Sequence, residues 1–144
     1  MRVGVDTTVI VAAVHANHPA HAEAARWLDG AFGSHQVVLA HHSIIESYAV
    51  LTRLPADYRL SPAEAETVLT ETLQNNASIA PFSSESVWDA LHAFVGTPAA
   101  GGATYDAFIV HLLEQAEVDV IVTYNEADFA RLTKTVRVAT PVEL

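Results

Sequence analysis

Three carboxylates stand out for where they fall along the chain. Asp6 ends the short apolar run Val3 to Val5, while Glu46 and Asp106 each fall at the start or early turn of a helical pattern. The run Val120 to Val122 is followed by Thr123, Tyr124 and the amide of Asn125. Carboxylates gathered at one strand edge repel one another unless a cation neutralises them. Hard oxygen donors, with no cysteine or histidine pair among them, select Mg²⁺ or Mn²⁺ over Zn²⁺. Such a cation polarises a phosphate and lowers the pKa of a bound water, so the chemistry implied is metal-assisted phosphodiester hydrolysis.

Each acid also has a capping reading. Asp6 could cap the helix that follows it, and Ser43 with Glu46 has the spacing of a capping box. Thr104 could be an N-cap with Asp106 in the positive first turn, and Asn125 with Asp128 repeats the three-residue offset. Position at the strand ends favours the chemical reading for Asp6, Glu46 and Asp106; Asp128 reads as a cap.

The elements that would bring these groups together are legible as alternation. Short, mainly β-branched runs occur at Val3–Val5, Val37–Leu39, Ile79–Ala80, Val120–Val122 and Val136–Val138, and they read as strands buried on both faces. Between them, Ala20–Phe32 places Ala24, Trp27, Leu28 and Phe32 on one stripe, and Ile44–Leu54 does so with Ile44, Tyr48, Leu51 and Leu54. Ser61-Pro62 starts a helix running to about Leu73, and Ser83–Val95, Thr104–Ala116 and Glu126–Leu132 supply three more. Alternating strands and helices predict an α/β fold with a central, mainly parallel sheet of about five strands flanked by helices. In such sheets ligands bind beyond the carboxyl ends of the strands, where the strand order reverses. The acids therefore converge if the strands beginning near Met1 and after Asp119 are neighbours.

The 144 residues match one compact domain spanning positions 1–144, and 51% hydrophobic residues provide ample core. The longest apolar run, Val9 to Val14, is too short to span a membrane, so a soluble, cytoplasmic protein with no membrane partner is expected. Without cysteine, thiolate chemistry and disulfides are excluded. A net charge of −10 argues against a broad basic nucleic-acid surface but is compatible with a small, metal-bridged site. A dinucleotide fold lacks its Gly-x-Gly-x-x-Gly, a haloacid-dehalogenase phosphatase fails at Thr8, and a receiver domain lacks its acceptor Asp near Ala80-Pro81-Phe82.

Four ordered segments carry a resemblance: Val5-Asp6-Thr7-Thr8-Val9-Ile10, Glu46 through Arg53, Tyr105-Asp106-Ala107, and Val122 through Phe129. Over about Arg2 to Pro141 the chain resembles the PIN-domain nucleases, and more narrowly the VapC-type toxins of bacterial toxin–antitoxin pairs. The resemblance implies a Mg²⁺- or Mn²⁺-dependent endoribonuclease acting on RNA, a homodimer, and a cognate antitoxin that inserts a segment near the active site. By position, Asp6, Glu46 and Asp106 match the family's metal-site acids, Thr7 its hydroxyl beside the first acid, and Thr123 the one after the fourth strand. The fourth acidic position is Asn125 here, with Asp128 one turn on, and either could be the fourth metal ligand; Asn125 is expected to orient water or metal and Asp128 to cap or to stand in the metal's outer shell. The rival function is a PIN-like domain that binds a protein or RNA without cutting it.

Among other residues, Arg53 lies seven positions after Glu46 on about the same helix face and is the expected phosphate contact. His15, His18 and His21 read as a solvated loop because Pro19 breaks their helix, and His41-His42 lie where they could touch substrate. Trp27 and Trp88 are expected in the core. The apolar faces of Ala20–Phe32 and Ile44–Leu54 are the expected antitoxin groove.

Overall fold

The computed structural model describes residues 1–144. The chain runs β1 (Arg2–Val5), α1 (Thr7–Val14), α2 (His21–Ser34), β2 (Gln36–Leu39), α3 (His41–Arg53), α4 (Pro62–Leu73), β3 (Ser78–Ile79), α5 (Ser84–Phe94), α6 (Ala103–Gln115), β4 (Val120–Val122), α7 (Glu126–Leu132) and β5 (Arg137–Ala139), ending in a 3₁₀ turn at Pro141–Glu143. The five strands form one parallel sheet in the order β3-β2-β1-β4-β5. The chain builds outward from β1 through β2 to β3, then returns to lay β4 on the other side of β1. Strand order thus reverses between β1 and β4, where Val5 pairs in register with Val122.

Strand pleating divides the core in two. Val3, Val5, Val37, Leu39, Val120 and Val122 pack into one cluster with residues of α1, α2, α3 and α4. Val38 and Ile121, alternating with them, join a second cluster with residues of α6 and α7, including the fully buried Phe129. Full burial of such a ring is worth roughly 1.5–3 kcal/mol. The expectation of strands buried on both faces therefore holds for the central strands and fails for β3, whose two residues are exposed at the edge of the sheet.

Gly4 has a specific task. A Cβ there would meet Leu113 Cδ1 at 2.8 Å, and Leu113 is fully buried, so the glycine lets α6 lie against β1. Leu113 is two helical turns beyond Asp106, so this close approach also sets where Asp106 stands.

Several local expectations are corrected. Trp88 is 60% exposed on α5, because the packed side of that helix is the side of Ala90; Trp27 is partly buried. His15 is buried, its Nε2 within 2.6 Å of the Tyr58 carbonyl, because the loop folds back onto the segment after α3. On α3 the buried face is Ser43, Ser47 and Leu51, with Tyr48 turned outward. Ala24, Leu28 and Leu51 are spent in the core, so the expected antitoxin groove keeps only the remainder of those faces, such as the exposed Ile45. Ser61-Pro62 does start α4, and Glu64 completes a capping box with Ser61.

Candidate active site

At the switch point the residues just past β1 and β4 face each other. Asp6 is 2% exposed and caps α1, so one carboxylate serves both helix and site. Its Oδ2 accepts from the Thr8 amide at 3.2 Å, the Thr8 hydroxyl at 2.7 Å and the Thr123 hydroxyl at 2.8 Å; none of these bonds reaches Oδ1. The two turns are knitted further: Thr8 Oγ1 accepts from the Tyr124 amide at 3.0 Å, and Thr123 Oγ1 from the Asn125 amide at 2.9 Å. Burial pushes the Asp6 carboxyl above its usual range, and the hydrogen bonds from Thr8 and Thr123 oppose the push.

Asp106 stands in the first turn of α6 under different conditions. Its carboxyl is pushed up to about 6, by partial burial first and then by the charges of Asp6, Glu46 and Asp128. No hydrogen bond is among the causes. Asp6, Glu46 and Asp128, from three other segments, thus all lie within electrostatic reach of Asp106. They do not close around one point: no three Asp, Glu or His side chains form a group able to hold an ion as they stand.

Glu46 projects from α3. Its Oε2 is buried without a hydrogen-bond partner, and His42 Nε2 stands 3.5 Å away, beyond good hydrogen-bonding distance. The Ser43–Glu46 capping box does not form, because α3 already starts at His41 with Ala40 as its cap. Thr104 does not cap α6 either, since that helix begins at Ala103. Asn125 occupies the N-cap position of α7 without a side-chain cap bond, and Asp128 instead pairs with Arg131. The capping readings fail for Glu46 and for the Asn125–Asp128 pair and hold for Asp6.

Two cavities open on these groups. One of about 310 Å³ is walled by Pro98, Gly102, Ala103, Asp106, Asp128, Arg131 and Leu132. The other, about 330 Å³, is lined by Thr7, Thr8, Val11, His18, Glu46, Val50 and Tyr124. Tyr124 is anchored there by donating to Glu23 Oε1 at 2.8 Å, and burial with that bond raises its pKa. Thr7 Oγ1 is buried and unpartnered, while Thr8 is committed to the turn. Arg53 is exposed and lies about 10 Å along the α3 axis from Glu46, given the helical rise, so it borders neither cavity. Arg131 does border one. In the sequence its only signal is its place one helical turn past Asp128.

The donors suit a hard divalent cation. All are oxygens, two of them buried orphans, Glu46 Oε2 and Thr7 Oγ1, and no cation offsets the like charges around Asp106. His15, His18 and His21 supply no competing centre: His15 and His21 ring nitrogens lie at the backbone oxygens of Tyr58 and Ala12, and His18 Nδ1 accepts from the Ala20 amide.

Comparison with known proteins bears on this arrangement. The profile of the PIN domain matches residues 3–135. Ribonuclease VapC27 of Mycobacterium tuberculosis (strain ATCC 25618 / H37Rv) is 35% identical over 105 residues, 73% of this chain and 72% of that protein. The crystal structure of VapBC2 from Rickettsia felis, bound to a DNA fragment from their promoter, superposes with a TM-score of 0.71 at 14% identity, covering 97% of this chain and 98% of that one. Mycobacterium tuberculosis VapC20, a sarcin-ricin loop cleaving toxin, gives 0.68 at 17% identity over 94% of this chain and 98% of that one. At these identities the structural likeness is one of fold.

Proposed function

The chain belongs to the PIN-domain family, and from that membership we propose that it is an endoribonuclease toxin of the VapC type whose cleavage of RNA depends on Mg²⁺ or Mn²⁺. The observation that carries the reading is the crowding of Asp106 by Asp6, Glu46 and Asp128 at the switch point of the sheet, with no cationic counterpart among the causes of its shift. Asp6, Glu46 and Asp106 hold the cation, with Asn125 as fourth ligand or water-orienting group and Asp128 beside it. When bound, the cation supplies a polarised phosphate and an acidified water.

The rest is performed by the chain itself. The Asp6 Oδ2 bonds fix that carboxylate so that Oδ1 is the oxygen left for the site. Thr123 orients Asp6, and the unpartnered Thr7 hydroxyl is available to substrate. Arg131 replaces Arg53 as the phosphate contact, exchanging its exposed pairing with Asp128, which is worth little in water, for the RNA backbone. The same carboxylates give a cognate antitoxin a target for an Arg or Lys side chain. We place the activity in one domain, residues 1–144, acting as a homodimer in the cytoplasm.

The test is cleavage of a structured RNA by purified protein with Mg²⁺ or Mn²⁺ and with EDTA. Cutting should stop in EDTA, and Asp106→Asn should lose orders of magnitude in rate while remaining folded. Undiminished cutting in EDTA overturns the metal role; a fully active Asp106→Asn removes that residue from the site.

A further inference from the structure

Beside the acids lies a group of rings that the proposed chemistry does not use. The Tyr105 ring is stacked on His42, with centroids 5.3 Å apart and planes 4° from parallel. His42 in turn meets Phe108 edge-on at 6.0 Å, and His41, Phe82 and Phe108 continue the cluster behind it. Tyr105 is 59% exposed although one ring face is covered by His42, so its other face is open to solvent. It immediately precedes Asp106, and the imidazole beneath it is the group 3.5 Å from Glu46. Tyr105 thus adjoins Asp106 along α6 and is linked to Glu46 through His42.

We propose that Tyr105, held flat by His42, is the platform on which one unpaired nucleobase of the RNA stacks next to the cleaved phosphodiester. This rests on the ribonuclease reading above and adds to it a residue that positions the substrate. A base inside a duplex has both faces occupied by its neighbours, whereas a splayed base offers a face to an aromatic ring. Stacking also meets a need set by composition. With 7 Lys+Arg against 17 Asp+Glu, the chain has little counterion-release attraction for a phosphate backbone, so affinity must come from contacts that do not depend on charge. A ring whose plane is already fixed loses little freedom on binding.

The experiment measures kcat and KM for a single-stranded oligoribonucleotide of mixed sequence, for the same sequence in a perfect duplex, and binding of the single strand to Asp106→Asn protein by fluorescence anisotropy. Tyr105→Ala should raise KM about tenfold with kcat within about twofold, and the Tyr105→Ala change placed in Asp106→Asn protein should weaken binding equally. Tyr105→Phe, which keeps the ring, should recover the wild-type KM, and Trp88→Ala, an exposed ring away from the site, should not change it. The wild type should cut the single strand far better than the duplex. An unchanged KM in Tyr105→Ala, equal losses in the Ala and Phe variants, or a loss traced by size-exclusion chromatography to dissociation of a dimer would overturn the platform while leaving cleavage intact. If the wild type cuts neither RNA yet Asp106→Asn protein binds the single strand through Tyr105, the nuclease reading fails and the platform stands. Should Tyr105→Ala not fold, Tyr105→Leu, of similar bulk without the ring, carries the same expectations.

Discussion

Two aspartates at two helix starts, Asp6 before α1 and Asp106 in the first turn of α6, show what the same side chain does in different company. Asp6 is buried, accepts three hydrogen bonds on one oxygen and caps its helix; those bonds offset part of what burial costs its charge. Asp106 is half-buried, is raised by like charges as well as by burial, and has no hydrogen bond opposing that rise. The first is a fixed part of the frame that also faces the site. The second is a charge held in an unfavourable place, which folding tolerates because α6 is pinned elsewhere, at Leu113 against Gly4. A helix-start carboxylate is therefore not informative by its position; the donors or charges around it decide its role.

Substitution at Asp6 should give the largest effect on the fold. Asp6→Ala removes the cap and strands the Thr8 and Thr123 donors, and should cost about 2 kcal/mol in denaturant unfolding. Asp6→Asn, whose amide oxygen can still accept, should cost much less. Equal costs for the two would show that the hydrogen bonds are not what holds Asp6.

At Asp106 the sign reverses. Its folded pKa of about 6 lies above the ordinary aspartate value of 3.8, so between those values the folded state binds more protons than the unfolded chain. Metal-free stability should therefore fall as pH rises from about 4 to 6 and stay reduced above that range. Because the group is half in solvent, the full shift is discounted to about 1 kcal/mol. Asp106→Asn should stabilise the metal-free protein at pH 7 by about that amount and flatten the pH dependence. Saturating Mg²⁺ should favour the wild type more than the variant, by up to about 2.7 kcal/mol at a hundredfold excess over Kd. A variant that melts lower than wild type in EDTA would return Asp106 to a capping role.

The smallest effect sharpens the comparison at a third helix start. Asn125 sits at an N-cap position without making a cap bond, so Asn125→Ala should change stability by less than about 0.5 kcal/mol. A loss near 1 kcal/mol in thermal or denaturant unfolding would mean that it caps in solution.

How far the site could be read in advance follows the range of each interaction. Asp6, Glu46 and Asp106 were legible because each falls beside a strand or in an early helical turn, and the alternation of short β-branched runs with helical stripes gave the sheet. Local rules placed the start of α4 at Ser61-Pro62. The same rules misassigned Ser43 with Glu46, because spacing alone cannot say that α3 begins two residues earlier. Trp88 and His15 exchanged their expected environments, since the covering of a helix face or a loop is set by elements distant in sequence.

The sequence by itself determined the parallel α/β architecture and the hard-oxygen character of the site, for both follow from residue type and short periodicities. Only the tertiary structure decided which hydroxyls serve Asp6, that Arg131 and not Arg53 borders the acids, and that Tyr105 lies flat on His42. Those relations join residues from separate elements, and they exist only once β4 is laid beside β1 and α6 is drawn in over Gly4.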